Sequence, residues 1–318
     1  MTTEKKQKIK LVLRKDFMSR SPMTSVMALG TFDGVHIAHR ALISEAVKLK
    51  KKLGADSVGV WCFEESPASV LRGEVGMTLT EEDEKTSLLL KCGADFVAVA
   101  RFEDFRDMSA VDFVLDVLIY HFGCVGAVCG YDHRFGRGGL GDPLLLKKIF
   151  GSNRTVTVQK ITLGGETVSS SAIRAHLRRG EVEKANMMLG RALSFTATVQ
   201  SGKRLGRTIG FPTANQTLPR GLSQLRFGVY ATRCSFSDGE KYIGVSNVGV
   251  RPSIGEGDDH RVNCETYLID FSGEVYGREM TVEFCSFLRE EMKFSSLDEL
   301  KSAIEKDKNK TVEFFRGR

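Results

Sequence analysis

The chain has 318 residues, 42% of them hydrophobic and 27% charged, and a formal net charge of +6. This length predicts two domains with separate cores, and the composition excludes a disordered or fibrous chain. The basic surplus is spread thinly along the sequence, so an anionic small substrate explains it as well as a nucleic acid does.

The seven cysteines form no Cys-x-x-Cys pair, and several lie in apolar runs, which predicts reduced structural thiols. No run of about 18 apolar residues occurs, and the N-terminal segment lacks the apolar centre of a secretory signal. We therefore expect a cytoplasmic protein without a membrane partner.

In the first half of the chain, short apolar runs alternate with stretches of helical period. The runs predicted as strands are 26–30, 57–63, 94–100, 125–130 and 155–161. This alternation predicts a parallel sheet with crossover helices, and capping patterns at Thr80–Asp83 and Ser109–Asp112 mark two helix starts. Such sheets bind ligands beyond the carboxyl ends of their strands, so the loops after Gly30, Phe63 and Gly130 are candidates for chemistry.

A polar helical connector over 175–190 ends at Gly190, a residue type common at helix C-caps. We place the domain boundary in this connector, with domains at 1–185 and 186–318. The later runs predicted as strands are 194–200, 227–236, 241–250, 261–271 and 280–288. They predict a small antiparallel barrel, and a final helix over 297–307 starts with the capping pattern Ser296–Glu299.

The loop after the first predicted strand, GTFDGVHIAH, carries two histidines three residues apart. This spacing puts His36 and His39 on one face at the start of a helix, where free amides and the helix dipole favour a phosphate. Both imidazoles would then donate to phosphate oxygens and stabilise the charge that develops during attack at phosphorus. A metal pair or incidental surface histidines are the alternatives.

Three further segments follow strands or open a helix: 63–67, 130–142 and 169–174. The second combines glycines with Arg134 and Arg137, which suits close approach to an anionic, ring-bearing ligand or, alternatively, an ordinary surface loop. The serines of the third are typical helix caps, but Arg174 one turn later favours a phosphate grip.

Together these segments resemble the N-terminal domain of bacterial FAD synthetases, members of the nucleotidyltransferase superfamily with an HxGH motif on a Rossmann-like sheet. The resemblance covers residues 10–180 and implies that His36 and His39 act on the ATP phosphates. It also implies that Ser170, Ser171 and Arg174 hold the triphosphate and that residues 130–142, among them Asp132, Phe135 and Asp142, line the FMN side. Gly30, Phe32 and Asp33 in the first loop are further candidates for ATP binding.

Two positions depart from that family pattern. Ala38 stands where the family usually has glycine, and Glu65-Ser66-Pro67 replaces a Pro-His-Pro element. The methyl group of Ala38 would crowd the adenine, and the second change removes a histidine donor. These departures motivate the hypothesis that the adenylyl transfer is slow or lost.

The second domain begins with a basic loop punctuated by glycines and followed by the segment GFPTAN. The phosphate ligands expected in the loop are Gly202, Lys203, Gly206 and Arg207. This is not a P-loop, because the GxxxxGK[ST] pattern is absent. Thr213 and Asn215 add hard oxygen ligands of the kind that Mg²⁺ prefers, although a proline-stabilised turn ending on asparagine is the alternative.

Alternation over 263–271 places Glu265 with Asn263 and Tyr267 on one face of a strand and Cys264 on the other. A carboxylate beside a primary hydroxyl and a γ-phosphate would orient the alcohol and accept its proton. A strand-surface glutamate without a chemical role is the alternative, and the pattern leaves open which face meets the core.

This half of the chain resembles riboflavin kinases, a family with a six-stranded antiparallel barrel. The motifs that carry the resemblance, in order across 190–307, are GRTIGFPTAN, GVSNVGVRPS, NCETYLIDF, VYG and FLREEMKFSSLDELKSAIEKD. It implies that Thr213 and Asn215 bind Mg²⁺ and ATP, and that Glu265 is the base on the ribityl 5′-hydroxyl. It also implies that residues 289–294, among them Arg289, Glu291 and Phe294, cover the flavin, and Phe211 is a further candidate for a flavin contact.

The expected fold class is therefore α/β plus β: a Rossmann-like nucleotidyltransferase domain with a parallel sheet, then a six-stranded antiparallel β-barrel with a terminal helix. The expected enzyme phosphorylates riboflavin to FMN and adenylylates FMN to FAD, using ATP and Mg²⁺ in both steps. A monofunctional riboflavin kinase with a degenerate first domain and a flavin- or RNA-binding regulator are the alternatives. The expected partners are riboflavin, FMN and ATP, without nucleic acid, and the expected state is a monomer or weak homo-oligomer.

Overall fold

The computed structural model describes residues 9–13, 19–73, 78–201, 206, 209–250 and 262–317. The chain forms two compact units, Met1–Ser170 and Ser171–Arg318. The predicted boundary between residues 185 and 186 stays a prediction.

The first unit is built on a parallel sheet. Its strands are β1 (Ile9–Leu13), β2 (Ser25–Leu29), β3 (Ser57–Phe63), β4 (Phe96–Ala100), β5 (Cys124–Gly130), β6 (Thr155–Val158), β7 (Thr162–Leu163) and β8 (Glu166–Thr167). In the described residues the first six pair in parallel in the order β1-β4-β3-β2-β5-β6, and β7 and β8 form a small antiparallel pair. The predicted parallel sheet is confirmed.

The edge strand β1 was not predicted. It pairs with β4 along one side only, and Leu11 and Val12 are exposed. A short apolar run inside a lysine-rich segment carries too little periodic signal to mark an edge strand, because solvent covers much of its surface.

The helices of the first unit are α1 (Ile37–Leu53), α2 (Pro67–Arg72), α3 (Glu82–Lys91), α4 (Phe102–Phe105), α5 (Ala110–Asp112) and α6 (Pro143–Phe150), and α5 continues as a π-helical stretch over Phe113–His121. The predicted cap Ser109 is confirmed, since its hydroxyl accepts from the Asp112 amide at 3.1 Å. The cap predicted at Thr80 is wrong. Its hydroxyl instead accepts from the Gly34 amide at 3.3 Å, and the N-cap position of α3 is Glu81.

Both faces of the parallel sheet are covered by apolar side chains. Val26 and Ala28 point to one core cluster, whereas Met27 and Leu29 point to the other. In the second cluster Trp61 meets Phe113 edge to face, at 5.1 Å between ring centroids. A sheet buried on both sides needs apolar residues at successive positions, which is why its strands read as continuous apolar runs.

The second unit is a curved antiparallel sheet with helices. Its elements are α7 (Ser170–Arg179, whose first residue belongs to the first unit), α8 (Val182–Leu189), β9 (Leu193–Thr198), β10 (Thr213–Thr217), β11 (Gly228–Phe236), β12 (Lys241–Val250), β13 (Val262–Leu268), β14 (Glu279–Arg289) and α9 (Leu297–Arg316). Within the described residues the strand order is β10-β13-β12-β11-β14-β9.

The two edge strands of this sheet approach each other. The Gln200 amide donates to the Asn215 carbonyl at 2.7 Å, and the Gln216 side-chain amide donates to the Ala197 carbonyl at 2.6 Å. These bonds link the two ends of the sheet, as expected for the predicted barrel. The strand β10 was not among the predicted strands, because Pro212 and the polar residues after it hide a short strand.

The helical connector is two helices rather than one, because Gly180 adopts a left-handed conformation (φ 77°) between α7 and α8. The predicted C-cap Gly190 is confirmed, with its amide donating to the Asn186 carbonyl at 2.8 Å. The cap predicted at Ser296 is also confirmed, since its hydroxyl accepts from the Glu299 amide at 3.2 Å. The helix that follows runs well beyond the predicted end at 307.

A row of hydroxyl groups crosses the interior of the antiparallel sheet. Ser246 lies between Thr232 and Thr266, 2.8 Å from each hydroxyl, and all three residues are fully buried. Each oxygen therefore has a partner inside an otherwise apolar core.

The cysteines are free thiols, and those buried in the two cores are Cys62, Cys124, Cys129, Cys234, Cys264 and Cys285, whereas Cys92 is partly exposed. Burial raises the pKa of Cys124 to about 12. This agrees with the prediction of reduced structural thiols. In the described residues, no helix combines the length and the apolar character that crossing a membrane requires.

Substitution of Gly136 can test how tightly the loop after β5 is packed. Its φ is 72° and its ψ is 176°, and a methyl group added to it would lie 2.5 Å from the Ala110 Cα. Gly151 has a similar backbone, with φ 87° and ψ 153°, but nothing within 4 Å of an added methyl group. Gly151→Ala should therefore cost only the backbone strain, about 1–3 kcal/mol.

Gly136→Ala should lower the free energy of unfolding by about 1–3 kcal/mol more than Gly151→Ala, because overpacking adds to the same strain. Urea denaturation of the two variants measures this difference. Equal losses would show that the loop relaxes away from Ala110 without cost.

Candidate active sites

The loop between β2 and α1 has an unusual backbone at the carboxyl end of the sheet. Phe32, Gly34 and Val35 all have positive φ, at 53°, 81° and 42°. The side chains of Phe32 and Val35 are fully buried, so packing holds a conformation that non-glycine residues rarely adopt. Strain of this kind is concentrated at functional sites.

Three hydrogen bonds fix this loop to its surroundings. The Asp33 carboxylate accepts from the Leu79 amide at 2.7 Å, and the Thr80 hydroxyl accepts from the Gly34 amide. The Ser170 hydroxyl donates to the Asp33 carbonyl at 2.9 Å. The structure thus gives Asp33 and Ser170 roles in shaping the loop, and their contacts with ATP stay predictions.

The two histidines lie together at the start of α1, as the spacing predicts. His36 is the N-cap residue, and its Nδ1 accepts from the His39 amide at 3.3 Å. The two rings stack with centroids 3.6 Å apart, and the residues are only 4% and 8% exposed. Because Nδ1 of His36 is an acceptor, the neutral ring carries its proton on Nε2 and can donate from there.

His39 is held in the neutral form. Its pKa lies well below the usual value, chiefly because of burial and also because of His36 and Lys85. Its Nδ1 is buried and has no hydrogen-bond partner in the described part of the chain. A neutral imidazole can donate a hydrogen bond to a phosphate oxygen without first losing a strongly held hydration shell.

Lys85 was missed in the sequence. It is 3% exposed, and its ammonium donates to the Phe63 carbonyl at 2.8 Å, at the carboxyl end of β3. In the sequence it lies among acidic residues at the start of α3, where a lysine usually reads as part of a solvated helix face.

The two positions that depart from the family pattern both lie at the start of a helix. Ala38 is partly exposed in the first turn of α1. Ser66, at the position of the absent histidine, is the N-cap of α2 and accepts from the Ser69 amide at 3.1 Å, and Pro67 is the first residue of that helix. The departure from Pro-His-Pro therefore forms an ordinary capped helix start.

The glycine-rich loop after β5 is closed by two backbone bonds between Phe135 and Gly141, at 3.1 and 2.9 Å. The Phe135 ring is buried, tilted against Phe113 at 5.6 Å. Asp142 caps α6 by accepting from the Leu145 amide at 2.9 Å. Phe135 and Asp142 thus shape the loop, whereas Asp132 is exposed on it. That these three residues contact FMN stays a prediction.

Ser171 and Arg174 lie one turn apart on α7, where Ser171 is exposed and Arg174 partly exposed. Ile173 and Leu177 form the buried side of the same helix. The phosphate grip predicted from these residues remains a prediction.

In the second unit, the face that carries Glu265 is not the interior of the barrel. Cys264 and Thr266 are buried inside it, whereas Asn263, Glu265 and Tyr267 are partly exposed. The predicted shared face of Glu265, Asn263 and Tyr267 is therefore confirmed, and it is the partly exposed face of β13.

Glu265 is the central member of a cross-strand row. Its partners in register are Asn215 on β10 and Asn247 on β12. Neighbouring residues in such rows have Cβ atoms about 5 Å apart, so two amide side chains flank the carboxylate. The partner of Thr213 in the adjacent row is Tyr267.

Thr213 and Asn215 lie two residues apart on β10, and so on the same side of the strand. Asn215 is 7% exposed, and its side-chain amide donates to the Thr213 carbonyl at 3.2 Å. A hydroxyl and an amide oxygen on one side of a strand suit a hard cation. The described residues contain no cluster of three or more His, Cys, Asp or Glu side chains that could hold a metal by themselves.

The aromatic ring of Phe211 precedes β10 and meets Tyr267 edge to face at 5.2 Å. Its amide donates to the Gly206 carbonyl at 2.8 Å, so Gly206 lies directly against the residues leading into β10. Three predicted phosphate ligands, Gly202, Lys203 and Arg207, lie outside the described residues, as does the end of the GVSNVGVRPS motif.

Glu291 folds over the same face. Its Oε1 accepts from the Asn247 side-chain amide at 3.2 Å, and it lies where a side chain on Gly249 would stand. Asn247 is the cross-strand partner of Glu265. Its hydrogen bond to Glu291 therefore brings a second carboxylate to the face that holds Glu265.

Arg289 is engaged by the terminal helix. Its guanidinium binds Asp307 through two nitrogens, Nε and Nη2, at 2.9 and 2.8 Å, and it lies 5.7 Å from the Phe294 ring centroid. Asp307 is 2% exposed. Arg289 therefore holds the segment before α9 in place, and its contact with a flavin stays a prediction. Asp307 was missed, because its partner is distant in sequence.

His36 tests the capping geometry. His36→Ala should lower the free energy of unfolding by about 1 kcal/mol, whereas His36→Asn should lose much less, because asparagine is a good N-cap. Thermal and urea denaturation measure the difference. If both substitutions cost the same, the cap bond from the His39 amide contributes little.

Asp307 tests the attachment of the terminal helix. Asp307→Ala should cost about 3 kcal/mol, because it leaves the Arg289 charge without its carboxylate. The control is Glu305→Ala, which breaks only the exposed ion pair with Lys308, of 3.3 Å, and should cost less than about 0.5 kcal/mol. Similar losses in both variants would contradict a special role for the Arg289 pair.

Comparison with family models gives two matches. Residues 18–172 match FAD synthetase, and residues 189–315 match riboflavin kinase. A solved structure described as a macrolide-efflux protein from Streptococcus pneumoniae has a TM-score of 0.86 and 26% identity, covering 95% of this chain and 98% of that chain.

Curated relatives are named bifunctional riboflavin kinase/FMN adenylyltransferase. The Escherichia coli K12 protein is 37% identical and covers 96% of this chain and 98% of its own length. The Bacillus subtilis protein is 35% identical and covers 92% of each. Similarity at this level over nearly the whole chain, with both family models matched in order, means that the chain belongs to the family of bifunctional riboflavin kinase/FMN adenylyltransferases.

Proposed function

We propose that the second unit phosphorylates riboflavin to FMN and that the first unit adenylylates FMN to FAD, each with ATP. The observation that carries the proposal is the cross-strand row of Asn215, Glu265 and Asn247 beside Thr213, in which Glu265 and Asn247 are partly exposed. It offers one carboxylate to an alcohol, with hydroxyl and amide oxygens next to it.

In the kinase step, Glu265 accepts the proton of the ribityl 5′-hydroxyl as that oxygen bonds to the γ-phosphorus of ATP. The bond from the γ-phosphorus to the bridging oxygen breaks, and ADP leaves with that electron pair. Orientation of the alcohol and acceptance of its proton are worth about 10²- to 10⁴-fold in rate.

Thr213 and Asn215 would hold Mg²⁺ in this unit. Their oxygens are neutral and hard, which suits an ion that keeps most of its coordination for water and nucleotide phosphates. When bound, Mg²⁺ offsets the negative charge of the phosphates. Gly202, Lys203, Gly206 and Arg207 are proposed as further phosphate ligands.

The flavin ring is proposed to lie between the aromatic pair of Phe211 and Tyr267 and the segment that Arg289 holds in place. Phe294 and Glu291 belong to that segment, and Glu291 is already bound to Asn247. This arrangement offers an apolar ring surface and polar groups at the edge, as ligand sites for aromatic cofactors require.

In the adenylyl step, an FMN phosphate oxygen bonds to the α-phosphorus of ATP, and pyrophosphate leaves with the electrons of the broken bond. His36 donates from Nε2, and the neutral His39 stabilises charge on the phosphate oxygens. No covalent enzyme intermediate is needed, because position and charge carry such a transfer. Gly30, Phe32, Asp33, Ser170, Ser171 and Arg174 are proposed for ATP, and Asp132, Phe135 and Asp142 for FMN.

The monofunctional alternative, a kinase with a relic first unit, is not favoured. The stacked pair of His36 and His39 and the fixed loop before it are intact, and the relatives named for both activities match nearly the whole chain. Ala38 is partly exposed in the first turn of the helix, and the two histidine rings stack with Ala38 between them in the sequence. We further propose a cytoplasmic monomer or weak homo-oligomer without a nucleic acid partner.

Two substitutions should separate the activities. Glu265→Gln should lower FMN formation by about 10²- to 10⁴-fold and leave adenylylation of supplied FMN intact. His39→Asn should lower FAD formation by about 10²- to 10³-fold and leave FMN formation intact. Chromatography of riboflavin, FMN and FAD over time measures both steps.

The wild-type time course decides between the alternatives. FMN followed by FAD supports both activities, and FMN alone supports the relic first unit. If neither product forms while riboflavin binds, the chain is a flavin-binding protein without catalysis and the proposal is wrong.

A further inference from the structure

Lys85 is a buried cation without a carboxylate partner. It lies on α3, is 3% exposed, and donates to the carbonyls of Phe63 at 2.8 Å and Glu64 at 3.4 Å. Among the described residues it forms no ion pair. Two neutral carbonyl groups solvate the ammonium, but they do not cancel its charge.

The carboxylates near this lysine do not act as its counter-ions. Glu82, one turn earlier on α3, pairs with Lys10 at 2.6 Å. Glu64 accepts from the Lys85 ammonium through its backbone carbonyl, and among the described residues its carboxylate forms no ion pair with Lys85; burial, and to a lesser extent Glu82, raises the pKa of that carboxyl. A buried charge without a partner costs several kcal/mol, so a protein that keeps one usually has a use for it.

The same region contains a second unsatisfied group. His39 has a buried Nδ1 without a partner in the described residues. His36 and Lys85 are the charged or titratable groups whose fields, together with burial, lower the pKa of His39. The strands that lead to the two sites, β2 and β3, are adjacent, with Leu29 in register with Trp61. Within the described residues, a buried cation without an ion pair and an imidazole whose Nδ1 has no partner thus lie at one end of the sheet.

We propose that Lys85 is a positioning residue for adenylyl transfer, supplying the buried positive charge that holds the triphosphate of ATP and the departing pyrophosphate against the histidine pair. The proposal rests on the adenylyl transfer proposed for the first unit. The positive charge of Lys85 attracts the phosphates electrostatically. Its two hydrogen bonds also fix the backbone at the carboxyl end of β3. An arriving anion supplies the missing counter-charge.

The reverse reaction tests the proposal directly, since FAD and pyrophosphate then give FMN and ATP in the first unit alone. Lys85→Met removes the charge and keeps the length of the side chain. We expect the KM for pyrophosphate to rise at least tenfold, with FMN formation from riboflavin unchanged. Lys91→Met removes an exposed lysine from the same helix and should leave the KM for pyrophosphate unchanged.

Stability and charge rescue separate this role from a structural one. Lys85→Met removes an uncompensated buried charge but also the hydrogen bonds to two carbonyls, so the free energy of unfolding should fall by no more than about 1–3 kcal/mol. Lys85→Arg should keep the KM for pyrophosphate within about threefold of wild type, because the charge remains. In Lys85→Met, NMR of labelled histidine should show a higher His39 pKa.

Three results would overturn the proposal: an unchanged KM for pyrophosphate in Lys85→Met, a loss of activity that matches a loss of stability, or equal effects of Lys85→Met and Lys85→Arg. A wild-type protein that neither forms FAD nor consumes pyrophosphate would instead overturn the function proposed for the first unit.

Discussion

The buried left-handed turn at Phe32–Val35 is the constraint on which the end of the first unit depends. Its apolar side chains pull the backbone into a conformation with positive φ, and the chain leaves it directly into the N-cap of α1. His36 can then accept from the amide of His39, and the two rings stack. A helix N-terminus, two imidazoles and a buried ammonium converge there because the core fixes the turn.

In the second unit, the register of the paired strands brings the site residues together. Pairing of β13 with β10 on one side and β12 on the other puts two asparagines beside Glu265. A shift of one residue would turn Glu265 into the barrel, where a carboxylate would meet the buried row of hydroxyls. The alternation that fills the interior with Cys264 and Thr266 therefore also keeps the carboxylate accessible.

Local patterns in the sequence predicted much of the fold and the central residues of both sites. Continuous apolar runs marked the strands that are buried on both faces, and the spacing of His36 and His39 marked the helix start. The strands β1 and β10 were missed because one is a solvated edge and the other is polar and short. Lys85 and Asp307 were missed for another reason: their roles come from burial and from partners far away in the chain, which no local pattern records.

The distribution of cysteines has a practical consequence. Six of the seven thiols lie inside one core or the other, and Cys92 alone is partly exposed. Burial raises the pKa of thiols such as Cys124 and Cys264 and shields them from oxidants. A thiol reagent can react with them only when a core opens, and Cys124 and Cys234 belong to different units. The rates at which such a reagent modifies Cys124 and Cys234 therefore report separately on the opening of each unit.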